Sequence, residues 1–344
     1  MAAPAQVPRQ EAPDARKGAG PYRPAYRPGF APGPWGVFLM RRLGGLVAVA
    51  ATLVVVTFLI VQLIPGDPAR VLAGADASPG DIERLRGQLG LDQPLLTRFV
   101  DYAGGLFHGD LGLSFQTREP VADIIAARLP FTAELALLAV LVVLLVAVPL
   151  GLAIAVRGNR RTDSAFTFTT SLVGATPEYV IATLLVLVFA ITLGVFPAAG
   201  AETLMSLVLP VAAIALPGTS VMARIVRREA ASVLAQDYMR TARGRRLPPL
   251  TLYTRHALPN LLTATLTLGG LILTSLLGGT VIVESVFAWP GMGQRVVEAI
   301  LARDYPVIQG CVLVLGLLAA LLNLVVDVVL GLLDPRTLAG KGGH

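Results

Sequence analysis

The chain is short of charge. Only 15% of its 344 residues are Asp, Glu, Lys or Arg, against roughly 25% in a soluble domain, while 54% are hydrophobic and mean hydropathy is +0.70. Cysteine is nearly missing too. The single thiol, Cys311, lies inside an apolar run, which excludes a disulfide framework and argues against redox chemistry. Three histidines, His108, His256 and His344, are too scattered to assemble a metal site, and nothing calls for a cofactor. The one Gly-Lys pair, Gly340-Lys341, is followed by glycine instead of Ser or Thr, so a phosphate-cradling loop is lacking. No serine stands in a nucleophile-elbow pattern. These absences mean that the chain is not itself an enzyme, and that any uphill work draws on a partner or an ion gradient. A pI of 9.9 raises the question of nucleic acid, but the arginines gather between apolar runs, where membrane topology places them.

What the chain has is apolar length. A bilayer core about 30 Å thick needs roughly 20 apolar residues per helical span. Six runs qualify, at about 43–64, 131–156, 165–193, 203–226, 261–285 and 307–333. Backbone groups in lipid are satisfied within their own segment, so the runs predict helices and an all-α polytopic membrane protein. The third run is longer than one straight crossing; either Pro177 kinks it or its first turns lie at the interface. Basic residues then set the orientation. With the amino terminus inside, 20 of the 28 Lys and Arg fall on the inner side and 8 on the outer, which predicts both termini in the cytoplasm. No duplicated half is visible, which counts against transporter folds built from internal repeats.

Residues 1–34 hold eight prolines, including Pro21, Pro24 and Pro28 in a repeat-like stretch, and read as a disordered tail. The run after it, about 22 residues long, exceeds a signal-peptide core of 7–15. Between the first two spans lies a polar segment with nine acidic residues and six arginines. Ser78 and Asp81 before Ile82 resemble a helix start there, so one or two small amphipathic helices are expected at the outer mouth.

The most informative stretch lies between the fourth and fifth spans. Asp237, Tyr238, Arg240, Thr241, Ala242, Arg243, Gly244, Arg246 and Leu247 form a short helical start with an acid in its first turn and a basic run. Pro248-Pro249 breaks it, and a second stretch through His256 to Leu258-Pro259 returns to the membrane. Charge alone permits two readings, an anchor beside anionic lipid or a docking element for a partner.

This stretch resembles the coupling loop of binding-protein-dependent ABC importer permeases, whose signature is Glu-Ala-Ala, three residues, Gly, nine residues, then Ile-x-Leu-Pro. The dipeptide/oligopeptide branch typically reads Asp-Tyr-Val-Arg-Thr-Ala-Arg-Ala-Lys-Gly-Leu. Asp237, Tyr238, Arg240, Thr241, Ala242, Arg243 and Leu247 match, with Leu258-Pro259 at the right spacing. The pattern departs at the signature glycine, which is Arg246, and at the isoleucine, which is His256; Gly244 is the alternative source of a tight turn. The literal Glu229-Ala230-Ala231 has the wrong spacing and is expected just before the coupling helix. Further marks run from residue 36 to 337: Leu63 to Pro68, Gly90 to Pro94, Gly109 to Gly112, Arg128 to Pro130, Thr132 to Leu135, Glu284 to Gly293, Arg303 to Pro306, and Leu333 to Arg336. Most also read as helix punctuation, and Phe287 and Trp289 suit an interfacial aromatic belt.

The resemblance implies a type I ABC importer permease fold with six transmembrane helices, and the first permease of its pair. It implies a second homologous permease, two ABC ATPase subunits, an extracytoplasmic substrate-binding protein and a bacterial cell membrane, without nucleic acid. It divides the chain into a disordered tail (1–34), the first span (35–65), an extracytoplasmic segment (66–127), a permease core (128–327) with its coupling loop at 229–259, and the end of the last helix with the cytoplasmic tail (328–344). Peptides are the implied cargo; nickel, glutathione and sugar permeases share the branch. An ion-coupled transporter or a membrane assembly protein are the readings from other classes. Among intramembrane acids, Glu178 after Pro177 is the candidate pathway residue, with bonding to a neighbouring helix as its alternative. Asp327 shares a helix face with Asn323 and reads as structural, while Glu134 and Glu284 sit near outer helix ends.

Overall fold

Small residues decide where the longest helices meet. In lipid, apolar side chains gain nothing by leaving their surroundings, so helices associate where small residues let backbones approach. Ala139, Val143, Ala147 and Gly151 recur every fourth residue, and all four are buried. Opposite them stand Ala215, Thr219, Ala223 and Val226. At Gly151 a Cβ would meet the Ala223 carbonyl oxygen at 2.7 Å, so only glycine fits this crossing. Leu137, Leu141 and Leu145, on the other face of the same helix, remain exposed.

The computed structural model describes residues 34–63, 67–74, 77–88, 90–245, 247–261 and 280–333. The Pro-rich tail, Arg246, most of the fifth expected span and Asp334 to Arg336 lie outside the described residues. The first helix, α1 (Pro34–Leu63), leads into three outer helices, α2 (Pro68–Ala73), α3 (Pro79–Gln88) and α4 (Leu95–Phe107). Then follow α5 (Val121–Arg157), α6 (Arg160–Ala175) and α7 (Glu178–Leu185), which runs on as a π-helical stretch, Val186–Thr192. A 3-10 turn, Leu204–Leu207, opens α8 (Val208–Ala235). After it come α9 (Asp237–Gly244), the short α10 (Pro249–Thr251) with a π turn at Leu252–Ala257, α11 (Met292–Ala302) and α12 (Tyr305–Leu333). The chain is all-α.

Among the described residues four helices, Trp35–Leu63, Val121–Arg157, Leu204–Ala235 and Tyr305–Val328, are long and apolar enough to cross a membrane. α6 and α7 pass the same test only as a pair, bent by 98° at their junction, the shape of a broken span or a re-entrant loop. Pro177 therefore does more than kink the third run: it leaves Thr176 extended, and α7 starts afresh. The second span also starts earlier than its apolar run. α5 begins at Val121 and carries Pro130 and Pro149 within it, so Arg128-Leu129-Pro130 lies inside a helix and does not open one. Its first turns bury Val121, Ile124 and Ile125 against Met292, Val296 and Ile308, an outer core made by α5, α11 and α12.

α1 and α12 run antiparallel. Arg42 pairs with Asp327 at 2.7 Å at one end, and Gln309 Nε2 donates to the Thr57 carbonyl at 3.1 Å at the other. Between them Gly316 presses on Leu53. Asp327 is thus structural, as its place near the helix end implied.

Candidate functional site

α9 is a helix of eight residues standing at the end of α8. Gln236 is extended and breaks α8, and Asp237 opens the new helix, where an acid suits the positive helix end. Sequence alternates its two faces. Met239 and Ala242 are buried, and Asp237, Tyr238, Arg240, Thr241, Arg243 and Gly244 are exposed. The buried pair packs on Ala230, Val233 and Leu234 of α8 and on Leu252, Ala257 and Leu261 of the returning segment, forming an inner core of its own. Two polar ties complete the seat. Asn260 Nδ2 donates to the Tyr238 hydroxyl at 2.8 Å, and Arg243 Nη2 donates to the Leu234 carbonyl at 3.1 Å. Arg240 faces Asp237 at only 3.5 Å with both side chains in the open, a pair worth little by itself.

Asp237 to Gly244 thus share one short element, and the rest of the expected stretch lies past its end. Leu247 and Leu258 are half-buried beside it, Pro259 is exposed and Glu229-Ala230-Ala231 lies in the last turns of α8. Gly244 has no left-handed backbone, so it does not supply a glycine turn in place of Arg246. His256, at the other departure, has Nδ1 at 3.4 Å from the Thr251 carbonyl within the π turn.

α8 carries this seat into the membrane. Arg227 pairs with Asp163 at 2.5 Å, and Arg224 Nη1 donates to Ser171 Oγ at 2.9 Å. Both bonds bind α6 to α8, and the Gly151 crossing binds α5.

Glu178 is the first residue of α7, half-buried, at the edge of the right-angle break. Among the described residues its carboxylate has no hydrogen bond or ion pair. Glu134 is exposed.

Two outer features carry more structure than their sequence fragments announced. Glu284 is fully buried. Its carboxylate accepts from Thr132 Oγ at 2.8 Å, Gly293 N at 2.7 Å and Gln294 N at 3.2 Å. Met292 N donates to the same Thr132 hydroxyl at 2.8 Å, closing a knot between α5 and the start of α11. A Cβ on Gly291 or Gly293 would collide with this carboxylate, which explains both glycines. Phe287 and Trp289 belong to this packing and not to a lipid-facing belt: they are 1% and 2% exposed, and Trp289 Nε1 donates to the Phe131 carbonyl. Asp304, also fully buried, accepts from Ser114 Oγ at 2.5 Å and Phe115 N at 2.9 Å, pinning the loop before α5 to the start of α12.

Comparison with known proteins shows the family. Residues 147–339 match the family described as binding-protein-dependent transport system inner membrane component, and residues 37–136 match its N-terminal counterpart. A putative peptide transport system permease protein of Brucella abortus is 40% identical over 87% of this chain and 98% of its own length. A probable D,D-dipeptide transport system permease protein of Escherichia coli is 38% identical over 90% and 98%. A glutathione transport system permease protein of the same species is 38% identical over 87% and 97%. The chain belongs to this family. It is a multi-pass permease subunit of a binding-protein-dependent ABC transport system, one that works with an ATPase and a substrate-binding protein and is not itself the ATPase.

Proposed function

We propose that the chain lines the import pathway for peptides together with a second homologous permease, and that α9 is the element a pair of ATPase subunits grips. The observation that carries the docking reading is the two-faced packing of α9. Its apolar side is bound to α8 and to the segment entering the fifth expected span, while its charged side is left for a partner. ATP binding closes the ATPase pair, draws the two α9 elements together and turns the permeases outward, ready for cargo from the binding protein. Both termini lie in the cytoplasm on this reading, as the basic residues require. Residues 229–259 then form the coupling loop within a core of 128–327.

Peptide cargo is supported by the names of the peptide, dipeptide and glutathione relatives. Glu178, at the break between α6 and α7, faces the pathway. Glu178→Gln is expected to alter transport rate or cargo preference; unchanged uptake of a panel of labelled di- and tripeptides would remove that role. The docking role is tested with Ala242→Pro. Proline in this helix interior costs about 3 kcal/mol locally. Transport-coupled ATP hydrolysis should be abolished while the complex still inserts. Normal coupled hydrolysis by that variant would refute the assignment.

A further inference from the structure

A cavity of about 360 Å³ opens where α1 leaves the lipid, between the last turns of α1, helix α4 and the first turns of α12. We propose that it seats the head group of a phospholipid, with the phosphate on Arg98 and Tyr305 and an ammonium beside Asp101. This site is separate from the coupling helix and does not rest on the transport reading.

Three observations converge on it. The first is an unpaired polar group. Tyr305 is 3% exposed and lines the cavity, yet among the described residues its hydroxyl has no hydrogen-bond partner. A buried donor left in that state is costly, and a bound acceptor relieves it. The second is charge. Arg98, half-buried on the cavity wall, spends one donor on Gln62 Oε1 at 3.1 Å, and a guanidinium has five. Asp101 lines the same cavity three residues on, so the site suits a zwitterion better than a purely anionic head.

The third is location. Leu96, Val100 and Phe107 of α4 are exposed at 74%, 60% and 90%. Their spacing puts them within about 40° of one another on a helix. The opposite side of α4 rests on α1, with Phe58 at 5.3 Å from Phe99 and 5.9 Å from Tyr102, ring centre to ring centre. Leu59 and Leu63, in the last turns of α1, are exposed as well. A helix so placed lies in the plane of the bilayer surface. The cavity beneath it is then at head-group depth.

The assembled transporter is purified, placed in nanodiscs of mixed phosphatidylethanolamine and phosphatidylglycerol, then released into detergent and weighed by native mass spectrometry. Wild type is expected to retain phospholipid enriched in phosphatidylethanolamine. Arg98→Ala lowers retention about tenfold and Tyr305→Phe about threefold, and Asp101→Asn removes the preference over phosphatidylglycerol. Tyr305→Phe, which keeps the ring, also loses part of the thermal stabilisation that lipid gives. Equal retention by wild type, Arg98→Ala and Tyr305→Phe overturns the proposal. So does a rise in thermal stability of Tyr305→Phe in lipid, the result for a hydroxyl that stays dry and unpaired. Inorganic phosphate or a dipeptide stabilising the delipidated protein as strongly as the lipid would also overturn it.

Discussion

The outer and inner ends of this permease treat polar groups in opposite ways. At the outer end Glu284 and Asp304 are fully buried and enclosed by donors from three parts of the chain. At the inner end the charges of α9 stand in the open, and the helix is held by two small apolar contacts and two hydrogen bonds. A buried carboxylate is tolerable only when every lone pair is occupied, so the outer knots are satisfied within the chain and rigid. An exposed charged face on a thinly seated helix is unfinished. On the proposed docking reading it gains its partners from another subunit and moves with that subunit.

Substitutions at the two ends should therefore fail differently. Glu284→Ala strands the Thr132 hydroxyl and two backbone N–H groups, with an expected loss of about 3–5 kcal/mol. The complex should be recovered in poor yield, with a low thermal midpoint by size-exclusion assay. Asp304→Asn preserves volume and removes charge-assisted bonds to Ser114 and Phe115, costing about 1.5–3 kcal/mol. Coupled hydrolysis in the surviving protein should remain close to normal. Arg240→Glu reverses the pattern. Stability should shift by less than about 0.5 kcal/mol, while coupled hydrolysis and ATPase retention during purification both fall. Equal stability losses at Glu284 and Arg240 would erase the distinction.

The smallest effect concerns α3. The Ser78 hydroxyl at 2.7 Å, and then Arg84, hold the Asp81 carboxyl below its ordinary value. A carboxylate with a depressed folded pKa contributes above its unfolded pKa of about 4, and that contribution is lost as pH falls through the folded value. Ser78→Ala should move the Asp81 titration upward, and fraying of α3 should begin at a higher pH. An unchanged NMR titration would leave the cap without a role.

Much of this was legible in the residues. Apolar runs located the long helices, Ser78 and Asp81 announced α3, and the order of Asp237 to Leu247 announced α9. The rest depended on contacts between distant segments. Trp289 and Phe287 have the composition of an interfacial belt, and only their neighbours, Phe131 among them, make them core. Pro177 announced a bend, but its size follows from how α7 packs on α8. Glu284 and Asp304 stood as fragments, and their partners Thr132 and Ser114 lie more than 150 residues away. Tyr305 stood within the Arg303 to Pro306 fragment, which said nothing of its buried hydroxyl.

The pairing of α1 with α12 sets a schedule for synthesis. Thr57 and Gln309 are 252 residues apart in sequence, so at 5–20 residues per second the first helix waits roughly ten seconds to a minute for its neighbour. During that interval Arg42, at the inner end of α1, is without Asp327. Chains that stall before α12 should be the ones the cell's membrane proteases find first.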